Sequence, residues 1–160
     1  MPRRLNAVKL DFVESAPLRL VFTADVAATP SEVYRALAED VEGWPGWFRS
    51  VAWAKPTREG AGRDVALRGG VRFQETIMAS DPAVRYAYRI DETNLPGVRA
   101  MLEEWRLTPS GSGTRVRWTM AVDGPGPLRV GIRLAKPGVG HSFRDAVRRL
   151  ERRLASEQAG

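Results

Sequence analysis

Between residues 51 and 122 the chain alternates strand-like segments with very short turns, and this pattern limits the fold more than any other feature. The segments span about residues 51–57, 64–69, 71–80, 83–92, 99–109 and 114–122 and are rich in apolar, aromatic and β-branched residues. Turn residues fill connections such as "RGG", "SDP", "NLPG" and "PSGSG". Because strands joined by such short turns pair in opposite directions, the sequence predicts an antiparallel meander.

One further strand and two short helices precede the meander. The apolar and β-branched stretch "LRLVFTADV" predicts a strand over residues 18–26. "ATPSEVYRALAED" predicts a helix, because Thr29 is a good N-cap, Pro30 suits the first helical position and Glu32 completes a capping box. The next stretch, "DVEGWPGWFRSV", predicts a second short helix whose turn carries aromatic rings on one side.

A long amphipathic helix follows the meander. In "HSFRDAVRRLERRLASE", Phe143, Val147, Leu150 and Leu154 recur on one face, and His141 is expected to open the helix as an exposed or end-capping residue. The preceding "DGPGPL" is expected to break the chain between the last strand and this helix. The order of elements indicates an α+β fold, in which a seven-stranded antiparallel sheet curls around the helix and covers its apolar face.

Three stretches resemble the START-related superfamily of polyketide cyclases, dehydrases and lipid-transport proteins (SRPBCC). They read "VFTADVAATPSEVYRALAEDVEGWPGWFRSV", "GGVRFQETIMASDPAVRYAYRID" and "LTPSGSGTRVRWTMAV". The resemblance implies the helix-grip fold: a curved seven-stranded antiparallel sheet wrapped around a long C-terminal helix, with two short helices after the first strand. It also implies a cavity between sheet and helix, often for a hydrophobic ligand. We assign residues 1–17 to an N-terminal extension and residues 18–158 to a single helix-grip domain.

The composition excludes several kinds of site. The chain has no cysteine and a single histidine, which excludes disulfides, thiolate metal sites and multi-histidine metal sites. The glycine-rich pieces lack the spacing of phosphate-binding loops, so we expect neither a metal nor an organic cofactor. No apolar run is long enough to span a membrane, and the N-terminus lacks the apolar region of a secretory signal, so we expect a cytoplasmic protein.

The positive charge is concentrated at the C-terminal end. The formal net charge is +6, and residues 128–160 alone carry seven arginines and one lysine against three acidic residues. Because the rest of the chain is nearly neutral, we expect no nucleic-acid partner. The cationic helix face is either simply solvated or the contact surface for an anionic partner or membrane. It comprises Arg144, Arg148, Arg149, Arg152 and Arg153.

Period-two alternation predicts which side chains of the meander point inward. The opposite set is mainly cationic, as expected of a wetted face, and comprises Arg72, Gln74, Arg85, Arg89, Arg106, Arg115 and Arg117. The predicted inward set is Val71, Phe73, Glu75, Ile77, Ala79, Val84, Tyr86, Tyr88, Ile90, Met101, Glu103, Trp105, Leu107, Val116, Trp118, Met120 and Val122.

Two carboxylates, Glu75 and Glu103, break the apolar inward pattern. An ionised carboxylate buried without partners is very costly, so each needs a partner, water or a raised pKa. In one interpretation, a β-bulge turns the glutamate to solvent, or a tyrosine hydroxyl or an arginine at the sheet rim satisfies it. In the other, the glutamates and Tyr88 are the polar groups of a mostly apolar pocket, where a carboxylate orients a ligand or acts as general base and a tyrosine donates a proton.

The rings of the second short helix have two corresponding interpretations. Trp44, Trp47 and Phe48 are either ordinary core beneath the long helix, or one of them, Trp47 or Phe48 before Trp44, faces a ligand. The candidate ligand-binding set is Trp47, Phe48, Phe73, Glu75, Ile77, Tyr86, Tyr88, Met101, Glu103, Trp105, Trp118 and Met120. The candidate catalytic residues are Glu75, Glu103 and Tyr88.

Three functions follow from these features. The one we favour is non-catalytic binding or transport of a small hydrophobic, aromatic or lipid-like ligand in an internal cavity. The second is a cyclase or dehydratase in which a pocket carboxylate and a tyrosine move protons on a polyketide-like substrate. The third is an interaction module that acts through the basic C-terminal helix.

Overall fold

The computed structural model describes residues 2–160 and contains one antiparallel sheet of eight strands with a long C-terminal helix. The strands are β1 (Arg3–Arg4), β2 (Leu18–Val26), β3 (Val51–Thr57), β4 (Gly62–Leu67), β5 (Arg72–Asp81), β6 (Arg85–Thr93), β7 (Ala100–Ser110) and β8 (Gly113–Asp123). The helices are α1 (Phe12–Ser15), α2 (Pro30–Tyr34) and α3 (Gly126–Ala159).

Seven strands form one continuous path in the order β2, β8, β7, β6, β5, β4, β3. The strands from β3 to β8 follow one another as a meander, which confirms the prediction from their short turns. β2 pairs with the last strand, β8, from Leu18 opposite Val122 to Val26 opposite Thr114, and forms one edge of the sheet. The expected α+β helix-grip architecture is therefore confirmed, with β1 as an additional short strand that pairs with β6.

The two short helices after β2 are also present. The Thr29 side chain accepts a hydrogen bond from the Glu32 backbone N–H at 3.3 Å and donates to the Glu32 carboxylate at 2.9 Å, which caps α2. This helix continues as a π-helical turn over Arg35–Glu39, and a 3₁₀ helix follows over Val41–Gly46. Because Pro45 and the flanking glycines shorten this second helix, Trp47 and Phe48 come directly after it.

Helix α3 begins at Gly126, so the prediction that the final helix opens at His141 was wrong. The "DGPGPL" stretch ends the strand pattern, as predicted, but it also starts the helix. Pro127 lies in the first turn, where its missing N–H would be unpaired in any case. Pro137 lies inside the helix on its exposed side. The second half of α3 packs on the core through the buried Phe143, Ala146, Val147, Leu150 and Leu154, and the first half packs against it through the partly buried Leu128, Ile132 and Val139.

Inward alternation is confirmed for most of the predicted positions, but not for Ala79 and Val84. A bulge between Ile77 and Ala79 pairs Ala79 with Ala87, which turns Ala79 to the outer face of the sheet. Val84 is 48% exposed, because it lies in the turn before β6, next to Ala83 at a positive φ of 64°. The outer face of the sheet, which points away from α3, is also less exposed to solvent than expected. Ala87, Leu102 and Ala121 point away from α3 yet are each fully buried.

The N-terminal residues account for part of this second buried face. β1 pairs with the far end of β6, and the backbone N–H groups of Leu5 and Asn6 donate to the carbonyls of Asp91 and Arg99, each at 2.8 Å. Helix α1 then contacts β7 and β8 and buries Val13. The first residues of the chain are therefore part of the packed structure, and no helix in residues 2–160 has the length and apolarity needed to cross a bilayer.

Replacing Leu5 with alanine is expected to destabilise the protein by about 2–4 kcal/mol, because it removes a buried side chain that joins the N-terminal segment to the core. Chemical denaturation measures this change. Lys9→Ala, in the same segment but exposed, is the control and is expected to change stability by less than about 0.5 kcal/mol. Equal stability of the two variants would show that residues 2–16 do not contribute to the core.

Candidate active site and ligand chamber

A row of polar side chains crosses the inner face of the sheet from β4 to β7. The register places Arg63 of β4 opposite Glu75 of β5, and Tyr88 of β6 opposite Glu103 of β7. All four residues are buried. A β-bulge lies between Gln74 and Glu75, as one interpretation of the sequence allowed, but it leaves the Glu75 side chain inside. We call this set of four side chains the polar row.

Arg63 and Glu75 form a buried ion pair. The Arg63 Nε donates to Glu75 Oε1, and each side chain is only 2% exposed. The Arg63 Cζ also lies 4.0 Å from the ring centre of Tyr88 and 4.4 Å from that of Trp44. Two aromatic faces and one carboxylate thus replace the water that a guanidinium usually binds.

Glu103 is held by hydrogen bonds from aromatic side chains. The Tyr88 hydroxyl donates to Glu103 Oε1 at 2.6 Å, and Trp118 Nε1 donates to the same oxygen at 3.1 Å. Tyr88 in turn accepts a hydrogen bond from Trp105 Nε1 at 3.2 Å. The two buried glutamates are therefore satisfied in the way that one interpretation of the sequence proposed, by an arginine and by a tyrosine hydroxyl.

Burial raises the pKa of the two carboxyl groups and the tyrosine of the polar row. It raises the pKa of Glu75 to about 7, although Arg63 opposes this shift. It also raises the pKa of Glu103, against the hydrogen bonds from Tyr88 and Trp118, and it raises the pKa of Tyr88 well above its usual value. The main cause is desolvation, because burial in a region of low dielectric disfavours the charged form of each group. A proton is consequently retained on these carboxylates at a pH where an exposed glutamate is ionised.

Aromatic rings fill the space between the polar row and α3. Trp105 and Trp118 stack at a ring-centre distance of 5.2 Å, and Phe143 of α3 lies 5.9 Å from Trp118. Trp44 and Trp47, 4.8 Å apart, reach Trp105 from the 3₁₀-helix side. We call the volume occupied by the polar row and these rings the inner chamber. The rings that were predicted to be either core or ligand-facing contact one another there.

Two N–H donors in the inner chamber are unpaired. Within residues 2–160, neither Trp47 Nε1 nor Arg63 Nη1 has a hydrogen-bond partner, and both atoms are buried. A buried donor without an acceptor costs about 1–3 kcal/mol, so most such groups in proteins are satisfied. These two donors mark positions where an acceptor oxygen would be favourable.

A surface cleft of about 360 Å³ lies beside the chamber. Its walls are the π-helical turn and 3₁₀ helix on one side and β3, β4 and β5 on the other, including Glu39, Pro56, Gly62 and Ser80. Tyr86 lines this cleft, and its ring centre lies 5.7 Å from Arg63 Cζ. We call it the Tyr86 cleft. π-Helical turns are often found at functional sites, and here one forms a wall of the Tyr86 cleft.

The candidate site residues are distributed over three environments. Ile77 and Tyr86 line the Tyr86 cleft. Phe73 and Met101 are buried on the inner face, and Met120 is partly buried against the same core. The remaining candidates lie in the inner chamber and comprise Trp47, Phe48, Glu75, Tyr88, Glu103, Trp105 and Trp118.

Arg63 was missed by the sequence reasoning, although a signal for it was present. The predicted strand began at residue 64, whereas β4 begins at Gly62. Extending the alternation backward from the inward Val65 places Arg63 on the same face. In residues 2–160 no three histidine, cysteine or acidic side chains come together as a metal site would require.

Comparison with known proteins agrees with this architecture. A family model described as polyketide cyclase / dehydrase and lipid transport matches residues 17–155. The uncharacterized protein Rv2574 of Mycobacterium tuberculosis is 35% identical over 150 residues, covering 91% of this chain and 89% of that protein. An uncharacterized Mycobacterium bovis protein, Mb2604, matches to the same extent.

Solved structures share the fold at low sequence identity. XoxI from Bacillus cereus superposes with a TM-score of 0.69 at 17% identity, covering 88% of this chain and 97% of its own. A START superfamily protein from Mycobacterium smegmatis superposes with a TM-score of 0.65 at 16% identity, covering 89% and 99% respectively. At these identities the likeness shows the fold alone.

Replacing Tyr88 with phenylalanine is expected to lower the free energy of unfolding by about 1–3 kcal/mol, because it leaves Glu103 and Trp105 each without one buried hydrogen bond. Tyr34→Phe is the matched control. Its hydroxyl bonds only Ser80, in a partly buried position, and its loss is expected to cost less. Equal costs in denaturant titrations would contradict a special role for the Tyr88 hydroxyl.

The raised pKa of Glu75 predicts a pH dependence of stability. Because the folded value of about 7 exceeds the usual 4.5, the contribution is complete below about pH 4.5 and is lost as the pH rises through about 7. Stability of the wild type relative to Glu75→Gln should therefore fall across this window, by up to about 1.4 kcal/mol per pH unit.

Denaturant titrations of both proteins at several pH values measure this difference. The control is Glu59→Gln, an exposed site in the β3–β4 turn, which accounts for the general pH dependence of the protein. If the difference between wild type and Glu75→Gln does not change with pH, Glu75 titrates in the folded state as it does in the unfolded chain.

Proposed function

Because the chain belongs to the polyketide cyclase, dehydrase and lipid transport family, we propose that it binds a small hydrophobic ligand bearing an acceptor oxygen in the inner chamber. The observation that carries this proposal is the pair of unpaired buried donors, Trp47 Nε1 and Arg63 Nη1. Trp47 packs among the rings of Trp44, Phe48 and Trp105, and Arg63 lies against the rings of Trp44 and Tyr88 and the Glu75 carboxylate. A mostly apolar site with a few placed polar groups is the usual anatomy of a small-molecule site.

In this proposal the ligand's apolar body packs against aromatic rings and its oxygen accepts hydrogen bonds from the two donors. The flat faces of Trp105 and Trp118 suit a planar or aromatic ligand, since offset stacking adds to the gain from burial. The Tyr86 cleft is the proposed route of entry, because Tyr86 borders both the cleft and the polar row. Binding then requires the rings of the chamber to move aside.

A second function, catalysis of the cyclase or dehydratase type, is supported by the titration of Glu75. A buried carboxyl with a pKa of about 7 is suited to act as general acid or base near neutral pH. In this role Glu75 takes or returns a proton at a ligand carbon or hydroxyl, and Arg63 stabilises the negative charge that develops on the ligand oxygen. Tyr88, hydrogen-bonded to Glu103, is the second proton donor in reach of the row.

A variant that still binds the ligand but no longer converts it would distinguish the two functions. Native mass spectrometry of the purified protein identifies any molecule that co-purifies with it. If the protein is an enzyme, Glu75→Gln retains that molecule and no longer converts it. If the protein is a carrier, neither form changes the molecule.

Trp47→Phe is expected to weaken binding of the aromatic probe anilinonaphthalene sulfonate about fivefold, because it removes one donor and keeps a ring at that position. Trp53→Phe on β3, outside the chamber, is the control and is expected to leave the affinity unchanged. Probe fluorescence measures both affinities. The binding proposal is wrong if the wild type neither retains a molecule nor binds the probe, or if the two variants bind it equally.

A further inference from the structure

The outer side of α3 carries a continuous stripe of exposed residues along most of its length. They recur at spacings of three or four residues, which places them on one face of the helix. We call these residues the outer stripe: Val130, Leu134, Pro137, His141, Arg144, Arg148 and Arg152, all of them exposed. The opposite side of the same helix packs on the core through Phe143 and Leu150, so the outer stripe is free without any unfolding.

The N-terminal end of the outer stripe is apolar. Val130 is 53% exposed and Leu134 is 78% exposed, and these are the two most exposed large apolar side chains in residues 2–160. Single exposed apolar residues are common on protein surfaces. Here the two are neighbours at i and i+4 and form a small apolar patch, next to the exposed Pro137.

The C-terminal end of the outer stripe is cationic. Arg144, Arg148 and Arg152 form no ion pair with any residue between 2 and 160, whereas their neighbours Arg149 and Arg153 do. Three like charges one turn apart repel each other mildly, and an external anion would relieve this repulsion.

The acidic residues of α3 leave the charge of the stripe uncompensated, because other groups hold them. Asp145 lies 3.6 Å from Arg49 and 3.7 Å from Arg149, and Glu157 lies 3.5 Å from Arg153. The Glu151 carboxylate accepts a hydrogen bond from the Ala27 backbone N–H at 2.5 Å. No acidic residue belongs to the outer stripe itself.

We propose that α3 docks through its outer stripe on an anionic lipid surface. Cations alone would fit nucleic acid or any acidic partner equally well, since phosphate contacts need only positive charge. The apolar patch of Val130 and Leu134 favours the lipid surface, because an acyl boundary buries apolar side chains beside the phosphates that bind the arginines, whereas a nucleic-acid backbone does not. The helix lies in the plane of the interface, with its apolar end inserted among the headgroups and its arginines on the phosphates.

The geometry suits this mode of binding. From Val130 to Arg152 the outer stripe extends about 33 Å along the helix, so a whole row of headgroups is within reach. Arg133 and Lys136, exposed beside the apolar patch, add two cations at the level of the headgroups. The proposal concerns the outer side of the helix and does not depend on what the inner chamber binds.

Co-sedimentation of the full chain with lipid vesicles tests the proposal. The wild type is expected to bind vesicles of phosphatidylcholine and phosphatidylserine in a ratio of about 7 to 3, and not vesicles of phosphatidylcholine alone. The triple variant Arg144→Gln, Arg148→Gln, Arg152→Gln is expected to lower the affinity about 100-fold, since each cation near an anionic surface contributes about a fivefold factor. The double variant Val130→Ser, Leu134→Ser is expected to lower it about tenfold.

The matched control removes the same number of charges elsewhere. Lys9→Gln, Arg35→Gln, Arg117→Gln changes three exposed cations that lie off α3, and it is expected to lower the affinity less than about threefold. Circular dichroism verifies that each variant is folded. The proposal is overturned if the two triple variants bind alike, if the serine variant binds like the wild type, or if duplex DNA binds more tightly than the anionic vesicles.

Discussion

The burial of one guanidinium beside two carboxylates is the constraint on which the interior depends. Arg63 cannot lose its proton, so the surrounding elements must supply a counter-charge and ring faces in place of water. Glu75 provides the charge, and Trp44 and Tyr88 provide the faces. These partners come from β5, β6 and the 3₁₀ helix, and Arg63 therefore fixes how these elements approach β4.

The aromatic rings and the polar row support each other. The Tyr88 ring packs against the Arg63 guanidinium, and its hydroxyl donates a hydrogen bond to Glu103. Trp105 and Trp118 stack on each other, and their indole N–H groups donate to Tyr88 and Glu103 respectively. Each ring thus contributes apolar area to the core and a polar edge to the row. Burial in this region raises the pKa of Glu75 and Glu103, and two buried N–H donors there have no partner within residues 2–160.

The two sides of helix α3 differ in burial and charge. Its inner side completes the core with Phe143 and Leu150, whereas its outer side is exposed from Val130 to Arg152. The charged side chains that do pair, such as Arg153 with Asp40, tie the second half of the helix to the turn after α2. The inner chamber and the outer stripe therefore lie on opposite sides of one helix.

The sequence by itself determined the strand meander, the short helices and the packed stripe of the final helix. It placed Glu75 and Glu103 in the apolar sets of their strands but left open whether they face inward. These features follow from local periodicity and turn chemistry, which act over a few residues. It did not determine the start of α3 at Gly126, the exposure of Val84 or the role of Arg63 as partner of Glu75. Only the tertiary structure decided these, because helix ends, solvent exposure and the pairing of buried charges depend on contacts between residues far apart in the chain.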